Sequence, residues 1–180
     1  MTEERKQLVI GRPSDLPLPI GALLDMLRYV RAQTLHAVKD LSIAQLDHRH
    51  DAESNSIGTL LWHIAAVEVW YQVNSFDARE WTPADAEEWD TALDMAEKAR
   101  SLGGYPLEHY VEILSSVRER TESELAKRDV EWLLHVGPLD DDADANEYWK
   151  WFHVGEDEIG HCAQIRWLKK RLPKVASGDL

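Results

Sequence analysis

The 180-residue sequence predicts an all-α protein, a four-helix bundle that carries an extra peripheral helix on its crossover. Three observations predict it. Apolar residues recur at three- and four-residue steps through four long stretches, which is the period of a helix with one buried face. Capping residues precede these stretches, and proline or glycine follows them. No segment alternates apolar and polar residues as a half-buried strand would. Four amphipathic helices bury their faces most simply against one another.

In chain order, residues 1–18 read as a polar, flexible arm that runs into a proline-rich stretch, 19–172 as a single bundle domain, and 173–180 as a short tail. The first helix is expected over 19–40, with Leu23, Leu24, Leu27, Val30, Thr34, Val38 and Leu41 as its stripe. Ser42 with Gln45 three residues on is a capping-box pattern and marks a short capped turn. A charged loop follows, and Ser56 or Asn55 caps a second helix over 56–75. Thr82-Pro83 with Asp85, Glu87 and Glu88 behind it starts the peripheral helix, 83–101, because proline and acidic residues suit a first helical turn. The next helix spans 106–127 with Tyr110, Ile113, Leu114, Val117, Thr121 and Leu125 inward. Residues 130–139 read as an extended packing segment. The acidic run 140–144 reads as a solvated loop that supplies an N-cap to a last helix over 145–171, ended by Pro173.

Composition narrows the function. Twenty Lys and Arg against 33 Asp and Glu give a net charge of −13, which repels a phosphate backbone and argues against nucleic acid as partner. Mean hydropathy is −0.44, and no apolar run is long enough for a membrane span. The opening MTEERKQLVIGRP lacks the apolar core of a secretory signal. Cys162 is the single cysteine, so no internal disulfide can form, and a reducing, cytoplasmic setting is expected.

The last helix carries polar residues where leucine would be expected. With His153 at zero on a helical wheel, Asp157 falls near ~40° and His161 near ~80°, on one stripe. Glu158, Arg166 and Lys169 occupy the opposite face. On the second helix His63 shares the buried side with Leu60, Val67 and Trp70, while Glu68 and Gln72 turn away. Unpaired polar groups inside a bundle cost several kcal/mol, about 2–7 by most measures, so these residues need partners. A divalent metal would satisfy all of them, and so would a buried pairing of Asp157 with His63 or His161.

The segments Asn55-Ser-Ile-Gly-Thr-Leu-Leu-Trp-His63-Ile-Ala-Ala-Val-Glu-Val-Trp70 and His153-Val-Gly-Glu-Asp157-Glu-Ile-Gly-His161-Cys-Ala-Gln164-Ile resemble the two signature stretches of the DinB-like superfamily. The resemblance covers nearly the whole chain from about residue 19, and it implies a metal-binding bundle that forms a homodimer. It implies His63, Asp157 and His161 as ligands; many members have histidine where Asp157 stands, and a carboxylate appears there in some, notably those that resemble mycothiol-dependent maleylpyruvate isomerase. Two histidines and a carboxylate suit Zn, Ni, Mn or Fe. The implied activity is a metal-dependent S-transferase or isomerase, in which a small thiol such as mycothiol or bacillithiol attacks an electrophile. His153 and Gln164 are then outer partners of the ligands, His153 also a proton shuttle. The alternative is a non-catalytic, stress-associated metal-binding dimer with a structural ion. Hydrolysis by bound hydroxide is a weaker option, because Glu68 faces away. Gly58 and Gly160 are expected to leave space for a substrate.

Other residues read more plainly. Cys162 points to the outer side of its helix, and His36 and His109 are expected in solvent. His48 and His50 sit in the charged loop, and His135 in the segment without a firm assignment. Trp149, Trp151 and Trp167 pack the core or a dimer, or wall a pocket.

Overall fold

Local sequence sets where each helix begins. The computed structural model describes residues 8–11, 14–139 and 142–173. Much of the expected arm, nearly all of the tail, and Asp140 and Asp141 of the acidic loop lie outside the described residues. Helix α1 (Leu18–Val38) starts with Pro19 in its first turn. Ser42 closes a capping box with Gln45 on the short α2 (Ile43–Leu46). Ser56 Oγ accepts from Thr59 N at 3.1 Å and opens α3 (Ile57–Tyr71). Thr82 and Asp85 form a second capping box at the head of α4 (Pro83–Asp94). Helix α5 spans Leu107–Leu125, α6 spans Val130–Leu134 behind an Asp129 cap, and α7 spans Glu147–Lys169.

Several expectations change in detail. The second helix ends at Tyr71, and residues 72–76 continue as a π-helical turn. The peripheral helix stops at Asp94, where Met95 takes a left-handed φ of 50°, and a 3-10 turn follows over 97–101. The stretch 130–139 is not wholly extended: it is one helical turn, α6, followed by β1 (Val136–Pro138). Strand β1 pairs antiparallel with β2 (Asp144–Asn146), with Gly137 opposite Ala145. Two three-residue strands are too short to leave an alternating pattern in the sequence. The cap of α7 comes from Asn146, whose side chain accepts from Trp149 N, and not from the acidic run.

The four long helices α1, α3, α5 and α7 make the bundle, with α7 packed on α1 and α3, and α3 also on α5. Asn55 and Leu60 face Gln164 and Leu168 at one end, while Tyr71 meets Trp151 and His153 at the other, so α3 and α7 run antiparallel. Buried apolar residues fall into two clusters. One holds Val38, Ile57, Leu61, Tyr110, Leu114 and Ile165. The other holds Leu23, Leu27, Tyr71, Leu125, Trp151 and Val154.

Between the two clusters, each long helix contributes one charged residue: Arg31, Glu68, Arg118 and Glu158. Glu68 and Glu158 are both 0% exposed, which corrects the expectation that they turn to solvent. Gln72 is buried too, donating to the Val117 carbonyl at 2.7 Å. The reason is that α3 is enclosed by neighbours on more than one side, and that α7 presents Glu158 to two arginines. Arg118 Nε donates to Glu68 Oε1 at 2.7 Å, and its Nη2 to Glu158 Oε2 at 2.9 Å. Arg31 Nε donates to Glu158 Oε1 at 2.8 Å, and its Nη2 to Glu68 Oε2 at 2.9 Å. The remaining guanidinium donors reach the backbone carbonyls of Leu114 and Leu27. Burial alone would raise the Glu68 carboxyl, but the two guanidiniums outweigh it and hold it at about 2.

Two further expectations, at Cys162 and His109, are corrected. Cys162 is buried in the first cluster, not on the outer side. Trp151 is fully buried and stacks on Phe76, in keeping with a core role, whereas Trp149 and Trp167 are exposed. His109 is half-buried, stacked on Tyr105 with ring centroids 4.3 Å apart. His36 is exposed as the sequence suggests, and His135, which the sequence leaves open, is exposed as well.

Candidate metal centre

His63 reaches the interior from the middle of α3, and Asp157 and His161 from one stripe of α7, four residues apart. His63 and His161 are each 9% exposed. One ligand atom from each of the three residues lies within 4.8 Å of the others. Asp157 Oδ1 is 3.2 Å from His161 Nε2 and 3.8 Å from His63 Nε2. The two imidazoles meet edge to face, with centroids 4.7 Å apart.

Each imidazole is held from behind. His63 Nδ1 lies 2.8 Å from the Ala92 carbonyl, and a backbone carbonyl can only accept, so Nδ1 carries the hydrogen. His161 Nδ1 lies 3.3 Å from Gln164 Oε1 in the same relation. In its neutral form each histidine therefore turns an Nε2 lone pair toward the carboxylate oxygen. Three acceptors converging in a nearly dry space repel one another unless a proton or a cation lies between them. Burial pulls His161 down, but its bond to Asp157 outweighs that and leaves it raised. Burial pushes Asp157 up, and the two histidines outweigh it and hold the carboxyl below its ordinary range. The donor set, with outer hydrogen bonds fixing the ring orientation, fits a divalent ion of the zinc or first-row transition type.

Sequence reasoning places all three residues of this cluster on inward stripes, and the fold brings them together. It could not find the Ala92 carbonyl, since a backbone group leaves no side-chain signal; the peripheral helix α4 turns out to orient His63. Gln164 touches His161. His153 stays outside the three-atom cluster, 3.1 Å from the Tyr71 hydroxyl through Nδ1 and stacked on Trp149. His48 and His50 also lie outside it, and His50 meets the edge of Trp167. Gly160 has nothing within 4 Å of where a Cβ would stand, so it does leave open space. Gly58 does not: a Cβ there would stand 2.6 Å from the Tyr110 hydroxyl, so that glycine serves close packing.

Beside the cluster lies a groove of about 480 Å³ between α3 and α7, lined by Asn55, Leu60, Ala163, Gln164, Trp167 and Leu168 among others. No helix among the described residues is long and apolar enough to cross a membrane.

A family model described as mycothiol S-transferase matches residues 22–173. Among solved structures, the crystal structure of a conserved protein from Enterococcus faecalis is similar in fold, with a TM-score of 0.64. It is 16% identical, over 82% of this chain and 93% of that one. A search of curated proteins finds no match.

Proposed function

The chain belongs to the mycothiol S-transferase family, and on that premise we propose that it transfers a low-molecular-weight thiol to an electrophile at a divalent ion held by His63, Asp157 and His161. The observation that carries the proposal is the convergence of two Nε2 lone pairs and a carboxylate oxygen, with both Nδ1 atoms already engaged. Zn, Ni, Mn and Fe all suit this donor set. When bound, the ion supplies Lewis acidity that lowers the pKa of a coordinating thiol and presents a thiolate at neutral pH.

The chain's own residues do the rest. Ala92 and Gln164 hold the imidazole planes, so that the lone pairs keep their aim when substrate arrives. Three protein donors leave positions open, which separates a catalytic site from a closed structural one. His153, about one turn before Asp157 and half-buried, is placed to hold a proton and pass it to solvent, with the Tyr71 hydroxyl on its Nδ1. Glu68 is no general base, because both its oxygens are taken by arginines. Mycothiol is the thiol that the family favours, and bacillithiol is the close alternative. A homodimer in the cytoplasm, with the bundle domain over 19–172, completes the proposal; Phe152 and Ile159 on α7 are 55% and 58% exposed and offer apolar surface to a second copy.

The test is formation of the thiol conjugate of 1-chloro-2,4-dinitrobenzene, followed by mass spectrometry with mycothiol and bacillithiol in parallel. The metal-loaded protein should accelerate it, and His63→Ala and His161→Ala should return it to the uncatalysed rate. Conjugation by both variants at the unaltered rate refutes the assignment. A second reading, a structural ion or a buried His–Asp pair without chemistry, has the 3.2 Å contact between Asp157 and His161 in its favour. It predicts no conjugation with either thiol.

A further inference from the structure

The groove reaches the metal cluster through one residue. Gln164 lines it and at the same time accepts from His161 through Oε1. Leu60 on its other wall lies three residues before His63, and Gln164 three after His161, about 4.5 Å along each helix axis. A molecule lying in the groove therefore ends beside the ion's ligands.

The groove's chemistry is specific. Leu60, Ala163 and Leu168 give an apolar floor, and Trp167 gives a flat wall. That indole is fixed in place: the Arg171 guanidinium stands 3.7 Å over its ring and donates to the Trp167 carbonyl, and His50 meets its edge at 4.9 Å. Gln164 has spent its oxygen on His161, and its amide N–H groups make no hydrogen bond among the described residues, leaving two donors at the groove's inner end. On a chain of net charge −13, Arg171 is a local cation. The nearby Asp51 has its carboxylate turned to Glu53 N, Ser54 N and the Ser54 hydroxyl. Flat apolar surface, amide donors at one end and a cation at the rim suit a planar, conjugated molecule that carries a carbonyl or carboxylate oxygen.

We infer that this groove is the subsite of the electrophile, and that the electrophile is a conjugated carbonyl or carboxylate compound, its ring or double bond against Trp167 and its oxygen on the Gln164 amide. The inference rests on the thiol-transfer reading for the electrophile's role, but the binding it predicts does not need thiol or metal.

The probe is trans-cinnamate, titrated calorimetrically into the metal-loaded full chain, with saturated 3-phenylpropanoate as the non-planar control. Cinnamate should bind one to one and more tightly than the control. Ala163→Trp, at an exposed position, should abolish binding by filling the groove. Gln164→Glu keeps an acceptor for His161 but replaces the donors with a carboxylate. It should weaken cinnamate by at least about tenfold, through a lost hydrogen bond and repulsion between two carboxylates, while bound metal stays unchanged. The metal-free His63→Ala protein should still bind cinnamate. Absence of binding to the unaltered protein, binding indifferent to Ala163→Trp, or a Gln164→Glu loss of metal equal to its loss of cinnamate overturns the inference. Cinnamate binding in a protein that conjugates no thiol overturns the electrophile's role, and the retained binding shows that the thiol-transfer reading is what failed.

Discussion

Two polar clusters sit in the core of this bundle within a few residues of each other, and they are built on opposite terms. Arg31, Glu68, Arg118 and Glu158 balance two positive charges against two negative ones, and every carboxylate oxygen accepts from a guanidinium. The His63–Asp157–His161 cluster turns three acceptors on one another and leaves the sum unbalanced. Glu158 and Asp157 are neighbours in sequence, yet one faces arginines and the other faces histidine lone pairs. A buried group whose partners are all present is scaffold; a buried group whose acceptors face one another is a candidate to hold a cation. Breaking the first should cost stability, and breaking the second should cost ligand.

The largest expected effect follows from removing one charge of the balanced cluster. Glu68→Ala leaves two buried guanidiniums short of a partner and should destabilise the fold by about 3–5 kcal/mol in urea unfolding. Replacing all four residues together by Met and Leu of similar volume should leave stability near its starting value, because the desolvation cost disappears with the charges. Equal losses in the single and the fourfold variant would show that the cluster is not balanced in this way.

Acid tests the same group next. Glu68 is held at about 2 in the fold, against an ordinary value of 4.5. A carboxyl depressed by folding contributes stability that is fully present above its ordinary value and is lost as pH falls through the depressed one. About 3 kcal/mol should therefore disappear between roughly pH 4.5 and pH 2, and most of that loss should vanish in the fourfold variant. Stability followed by circular dichroism across that window checks the sign.

The acceptor cluster should respond to ions. Free Zn at a hundred times its Kd should stabilise the fold by about 2.7 kcal/mol through mass action, and His63→Ala should lose that increment. The smallest effect sharpens the outer contact. Gln164→Leu removes the acceptor on His161 Nδ1 and should weaken metal binding by at least about tenfold. Because Gln164 is exposed, its melting temperature without metal should hardly move.

The scaffold half of this comparison was the harder one to read from sequence. The long helices announce themselves through Leu23, Leu27 and Val38 on α1 and Leu114 and Leu125 on α5, and Ser42, Ser56 and Thr82 mark starts that the fold uses. His63, Asp157 and His161 stand out because each interrupts an apolar stripe. Arg31 and Arg118 interrupt stripes as well, four residues after Leu27 and Leu114, but arginine is so commonly a surface residue that the pattern reads as solvated. Glu68 and Glu158 mislead for a related reason: a wheel ranks faces of one helix, and cannot register that a second neighbour covers the polar face. The Ala92 carbonyl that fixes His63 is backbone, and the α4 that delivers it looks merely peripheral because its side chains are polar. The π-helical turn after Tyr71 carries a Gln72 bond to the Val117 carbonyl of α5 that no short window of sequence contains, and the three-residue strands of the β1–β2 pair are too short to alternate visibly.

The most direct test is metal stoichiometry by elemental analysis of the purified protein beside His63→Ala, His161→Ala and the fourfold apolar variant. About one equivalent of Zn, Ni, Mn or Fe in the unaltered chain and in the fourfold variant, lost from both histidine variants, is the predicted result. A chain that takes up no metal even after reconstitution, or a fourfold variant that folds yet loses metal as the histidine variants do, would contradict the division into scaffold and site.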